Sequence, residues 1–121
     1  MGYICGAKKF RTVIAYKGYF EVFLDEQKPH VRRKILQILR LIEVLEVVPQ
    51  KLLKHLEGTK GLYEIRICLG NAIFRIFCLF DEDNLVVLLS GFQKKSRKTP
   101  RKELDRALKL KEQYFAEKRQ L

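Results

Sequence analysis

Tryptophan is absent from these 121 residues, methionine occurs once, and proline and cysteine occur three times each. Three cysteines, Cys5, Cys68 and Cys78, cannot close a disulfide framework, and none stands at knuckle spacing from His30 or His55. Reduced, mostly buried thiols are expected, and no metal site. Long apolar runs are also missing. The longest, Ile76 to Phe80 and Leu85 to Leu89, have five residues, against the roughly 20 that span a bilayer. The first ten residues hold lysines but no apolar stretch after them, so no secretory leader is read and the cytoplasm is the expected compartment. Acidic residues are scarce: 14 against 25 lysines and arginines, a net charge of +11.

What is present is a packed chain. Hydrophobic residues make up 47% and aromatics 11%, too much apolar surface for a disordered segment. The length suits one domain, residues 1–121. The positive charge is uneven, since residues 93–121 carry 11 basic and four acidic side chains. A field of that kind draws polyanions by releasing their condensed counterions, so nucleic acid is the leading partner class.

Residues 11–16 suit a short strand, and Tyr19, Phe20, Phe23 and Leu24 recur at helical spacing after Gly18. Val31, Ile35, Ile38, Ile42 and Leu45 then form an apolar stripe in steps of three and four between Pro29 and Pro49, which predicts a helix of four to five turns. A connector through Leu52, Leu53 and Leu56 leads to three runs of strand character, 62–69, 72–80 and 85–92, separated by Gly70-Asn71 and by the polar loop 81–84. Thr99-Pro100 reads as an N-cap followed by a first-turn proline, opening a basic amphipathic helix with Leu104, Ala107, Leu108, Tyr114 and Phe115. The expected fold is α+β: an N-terminal strand, two helices, a three-stranded antiparallel meander and a C-terminal basic helix, with the helices on one face of the sheet.

A two-residue turn at Gly70-Asn71 sets Arg66 directly opposite Arg75, on the same face as Glu64, Cys68, Ile73 and Phe77. With a four-residue loop at 81–84, Ser90 falls beside Arg75 and Phe92 beside Ile73, and Lys94 and Lys95 follow. Two opposed guanidiniums cost up to about 1 kcal/mol unless an anion compensates them. A phosphate gripped by forked, charge-assisted hydrogen bonds is one candidate, and Glu64 neutralising the arginines from within is the other.

At these residues the chain resembles the RelE/ParE superfamily of bacterial toxins, most closely its HigB-type branch of phage-derived killer proteins. The resemblance rests on Leu-Glu-Gly-Thr-Lys-Gly-Leu-Tyr-Glu-Ile-Arg at 56–66, Phe-Arg-Ile-Phe at 74–77, and Gly-Phe-Gln-Lys-Lys-Ser-Arg-Lys-Thr-Pro at 91–100 before a basic helix with Ala107. It implies a RelE-like toxin that cleaves messenger RNA, usually on the ribosome, needs no metal or other cofactor, and is silenced by a helix-turn-helix antitoxin. It also places Arg66, Arg75 and Lys94 as catalytic groups around the phosphate. Lys95, Arg97, Lys98 and Lys60 then fall to RNA binding, with Ser90 on the same surface and Phe92 as a stacking face for a base. Such a site helps the ribose 2′-hydroxyl attack its own phosphate, giving a 2′,3′-cyclic phosphate and a 5′-hydroxyl. Relatives often carry a tyrosine or histidine just beyond the third strand, where this chain has Ser96, Thr99 and Pro100. Glu64 is the candidate base in its place, with its role as an arginine partner the competing reading, and His55 a weaker choice. Tyr63 and Tyr114 read as packing residues. The missing base leaves open two alternatives: a non-catalytic gyrase inhibitor of the same superfamily, or a basic nucleic-acid-binding domain without cleavage.

Overall fold

The computed structural model describes residues 8–120; Cys5 lies outside them. The elements run β1 (Thr12–Ala15), α1 (Tyr19–Asp25), α2 (Pro29–Val44), β2 (Leu53–His55), β3 (Leu62–Leu69), β4 (Ala72–Asp81), β5 (Leu85–Lys94) and α3 (Arg101–Arg119). The class is α+β, as the sequence implies. One five-stranded sheet is ordered β1-β5-β4-β3-β2. Its outer strand β1 is parallel to β5, and the other pairs are antiparallel. No helix among the described residues is long and apolar enough to cross a membrane.

The helices do not share one face. α1 and α2 bury Phe20, Phe23, Val31, Ile35, Ile38 and Ile42 against Ile65, Ile67, Phe74, Ile76 and Leu88. α3 lays Ala107 and Leu110 on the opposite face, against Leu62, Phe77, Leu79, Val87 and Leu89. The cause is in β4 and β5. Both are buried on both sides over most of their length, and an unbroken apolar run, unlike an alternating one, requires cover on each face. The connector after α2 likewise contains a fifth strand, β2, which is only three residues long and half exposed. It gave no periodicity to read.

α2 begins with Pro29 in its first turn. Its far end is held by Arg11, whose guanidinium donates to the carbonyls of Ile42, Leu45 and Glu46 at 3.2, 2.7 and 2.9 Å, satisfying acceptors that a helix end leaves open. Glu43 accepts the Val13 N–H at 3.0 Å and so blunts the free edge of β1. α1 sits directly over β5 at Gly91, where a Cβ would fall 2.6 Å from the Phe23 ring. Only glycine admits that approach. α3 starts one residue later than Thr99-Pro100 implies: Pro100 is extended (ψ 133°) and serves as the N-cap, with no side-chain cap.

The C-terminal half of α3 is fixed by Asp81, at the end of β4. This buried carboxylate accepts hydrogen bonds from Tyr114 and Lys118. The Lys118 ammonium, and then the Tyr114 hydroxyl, hold its pKa below the ordinary carboxylate range, while burial and the neighbouring carboxylate push Tyr114 up to about 12. A depressed acid stabilises the fold above its unfolded pKa and loses that contribution as pH falls through its folded value. Asp81→Asn is therefore expected to lower stability by about 1–3 kcal/mol at neutral pH. The deficit should shrink as acidification protonates the wild-type carboxylate, and denaturant melts from pH 7 to pH 3 would check it.

Candidate active site

Gly70, at φ +60°, supplies the left-handed first position of a tight two-residue turn, and Leu69 pairs with Ala72 across it. That turn fixes the register. Arg66 stands directly opposite Arg75 on the α3 side of the sheet, and Glu64 opposite Phe77 on the same side. Both arginines reach one oxygen. Glu64 Oε1 lies 3.4 Å from Arg66 Nε and 3.7 Å from Arg75 Nε. Within the free chain the compensating anion is thus Glu64, the second of the two readings the sequence allowed.

The three side chains are not equally accessible. Arg75 is 4% exposed and Glu64 5%, whereas the Arg66 side chain keeps 31% of its surface open. Arg75 Nη1 donates to the Phe74 carbonyl at 3.1 Å. Arg75 Nε, Glu64 Oε2 and Ser90 Oγ are buried without a hydrogen-bond partner among the described residues. One carboxylate against two guanidiniums leaves the trio with a net charge of +1, most of it presented through Arg66.

The β4/β5 register departs from the sequence reading in two places. Asp81 pairs with Leu85, so the connecting loop has three residues, 82–84, with Glu82 at φ +61°. A bulge then sets Leu89 and Ser90 against Phe77, and beyond it Phe92, not Ser90, faces Arg75, while Lys94 faces Ile73. The extra residue flips the alternation. Leu89 and Phe92 consequently share the α3 face. Phe92 is 7% exposed and stacks on Phe77 at 5.6 Å between ring centres. Its ring is part of the core and offers no open face to a base, and Ser90 is equally buried. Cys68 is exposed on the same strand face as Arg66, whereas Cys78 is buried, and burial pushes the Cys78 thiol up.

Lys94, Lys95, Ser96 and Arg97 meet Asn71 and Ile73 of the hairpin in a cleft of about 420 Å³, and Lys98 is exposed beside them. Lys60 is elsewhere. It precedes Leu62, which pairs with Leu79, six residues along β4 from Ile73, a span of roughly 20 Å. His55 pairs with Tyr63, its ring 5.0 Å away, on the sheet face opposite the arginines. Tyr63 packs on Phe80. Two further cations carry no mark in the sequence pattern. Lys54 lies directly across from Glu64 on β2, a strand of three residues, too short to show a period. Arg106 joins Lys95, Gln93 and Glu103 in a second cleft of about 400 Å³ beside Gly91, and nothing in the α3 pattern distinguishes it from its solvated neighbours.

The fold places the molecule in a known structural class. A chain of the crystal structure of the archaeal RelE–RelB complex from Pyrococcus horikoshii OT3 superposes with a TM-score of 0.50 at 21% identity, covering 73% of this chain and 98% of that one. At that identity the likeness shows a shared RelE-like architecture. The family model of phage-derived Gp49-like proteins (DUF891) matches residues 22–112, a span that holds every member of the arginine site. The chain belongs to the Gp49-like family of phage-derived proteins. No curated protein matches it.

Proposed function

We propose that this chain is the toxin of a toxin–antitoxin pair of the HigB-like kind, a ribonuclease that cuts messenger RNA, with residues 1–121 acting as one toxin domain. The observation that carries the reading is the convergence of Arg66 and Arg75 on a single anionic oxygen beside a cationic cleft. An oxyanion of the scissile phosphodiester takes a comparable place. Arg66, the more open guanidinium, contacts it, and Arg75 stands behind and fixes the direction of approach. The substrate 2′-oxygen gives its proton to water and bonds to phosphorus, and the bond to the 5′-oxygen breaks. That oxygen takes up a proton from water and leaves as a 5′-hydroxyl, with a 2′,3′-cyclic phosphate on the other fragment. Negative charge builds on the phosphoryl oxygens along the way, and preorganised cations stabilise it there more than in the ground state. Lys94, Lys95, Arg97 and Lys98 hold the flanking phosphates, which makes binding strongly salt-dependent.

The partners that follow are messenger RNA on the ribosome, in a bacterial cytoplasm, and a helix-turn-helix antitoxin with an acidic segment to cover the cationic face. Mapping transcript 5′ ends after induced expression tests the reading. New ends within messages, absent when Arg66→Ala is expressed, are the expected result. Intact messages accompanied by DNA damage would overturn it in favour of gyrase inhibition, and intact messages without growth arrest would leave only a nucleic-acid-binding role.

A further inference from the structure

From the geometry of the trio we infer that Glu64 is a displaceable counter-anion: it occupies the phosphate's place in the free chain and swings to Lys54 when a phosphate enters. This rests on the reading above for its ligand class, though not for any cleavage. Three observations carry it. Glu64 stands between both arginines but bonds them poorly, since its Oε1 lies 3.4 and 3.7 Å from the two Nε atoms. Its own Oε2 and Arg75 Nε are buried without partners. A carboxylate joined to guanidiniums by forked hydrogen bonds would sit closer and leave neither atom idle. The trio is therefore held by charge alone, and a phosphodiester, equally monoanionic but with its oxygens in tetrahedral array, can replace it without changing the net charge of the site.

The displaced carboxylate also has a destination. Lys54 is the residue directly opposite Glu64 on β2, with Cβ atoms of such pairs about 5 Å apart. It is exposed and makes no ion pair among the described residues. Strand pairing thus places Glu64 between the arginines on one flank and a free ammonium on the other. Rotation of one side chain about its own bonds exchanges them, with no backbone movement. A ligand binding to a site already occupied by an internal competitor binds with an affinity reduced by that competition, so Glu64 sets how strongly the free toxin holds phosphate.

Titration with inorganic phosphate at constant ionic strength, read on the Nε–Hε resonances of Arg66 and Arg75, tests this. Glu64→Gln is expected to bind at least tenfold more tightly than the wild type. Glu57→Gln, which removes the same charge from an exposed loop, is expected to change affinity less than twofold. Lys54→Met, on an exposed edge where the fold does not depend on it, is expected to weaken binding two- to fivefold by removing the carboxylate's alternative partner. Unchanged or weaker binding in Glu64→Gln with its amide spectrum intact overturns the inference, as does a Lys54→Met affinity equal to wild type or the absence of any phosphate response at the two arginines. Cleavage is scored separately. Tighter binding by Glu64→Gln, with a wild type that cuts no RNA, upholds the exchange and defeats the ribonuclease reading; RNA cleavage by the wild type without that tightening does the reverse.

Discussion

Arg75→Ala is expected to abolish RNA cleavage and to destabilise the fold by about 3 kcal/mol, while Arg66→Ala abolishes cleavage with a stability change under about 1 kcal/mol. The two arginines face each other on one hairpin, but they are held differently. Arg75 is buried with Glu64, and removing it leaves a carboxylate in the interior without its buried counter-ion, a loss that typically costs several kcal/mol. Arg66 keeps 31% of its side chain in solvent, where an ion pair contributes little to stability. Activity follows a different rule. On the proposed mechanism Arg66 meets the charge that develops on the phosphoryl group and Arg75 holds the direction of approach, and removal of one such group commonly costs about 10²–10³ in rate. The double variant Glu64→Met with Arg75→Met separates the two effects. Replacing a buried ion pair by apolar side chains of similar volume is often neutral for stability, so thermal melts should recover most of the lost stability while cleavage stays absent. Recovery of cleavage along with stability would mean that Arg75 matters only for folding.

Phe92→Ala should cost about 3–5 kcal/mol, and Phe92→Leu less than about 1.5 kcal/mol with cleavage retained. The ring is 7% exposed, stacked on the fully buried Phe77, and its residue on β5 pairs directly with Arg75 on β4. It packs in the α3-side core beside Arg75, and deleting it opens a cavity there. An aromatic that stacks on a base gives the opposite pattern: Phe92→Leu would weaken RNA binding by about 1–3 kcal/mol with the melting temperature unmoved. Denaturant melts and RNA-binding curves on the two variants discriminate between these outcomes.

The arginine opposition was legible because it depends on a single local feature. Gly70-Asn71 fixes a two-residue turn, and every pair from Leu69–Ala72 to Leu62–Leu79 follows from it by counting. The α2 stripe was legible for a similar reason: Val31, Ile35, Ile38 and Ile42 are all buried, as their spacing requires. The β4/β5 register was not legible. It turns on a three-residue loop and on a bulge at Leu89-Ser90, and a bulge leaves no mark in an apolar run because alternation is already absent there. The two-sided cover of the sheet was visible in principle, since Ile76–Phe80 and Leu85–Leu89 are continuous apolar runs, too apolar for a sheet with one wet face. β2 was hidden by its length. With it went Lys54, whose position opposite Glu64 exists only through strand pairing. That Glu64 supplies the anion between the arginines was a question of side-chain distances, which alternation cannot resolve.

The most direct measurement is the chemistry of the RNA ends produced by the purified chain acting on a defined message, free and ribosome-bound. Fragments ending in 2′,3′-cyclic phosphate and beginning with 5′-hydroxyl, formed by the wild type and lost in Arg66→Ala, are the expected result. Message left intact by the wild type in both settings, or cut at an undiminished rate by Arg66→Ala, would contradict the claim that this arginine couple acts on a single phosphodiester.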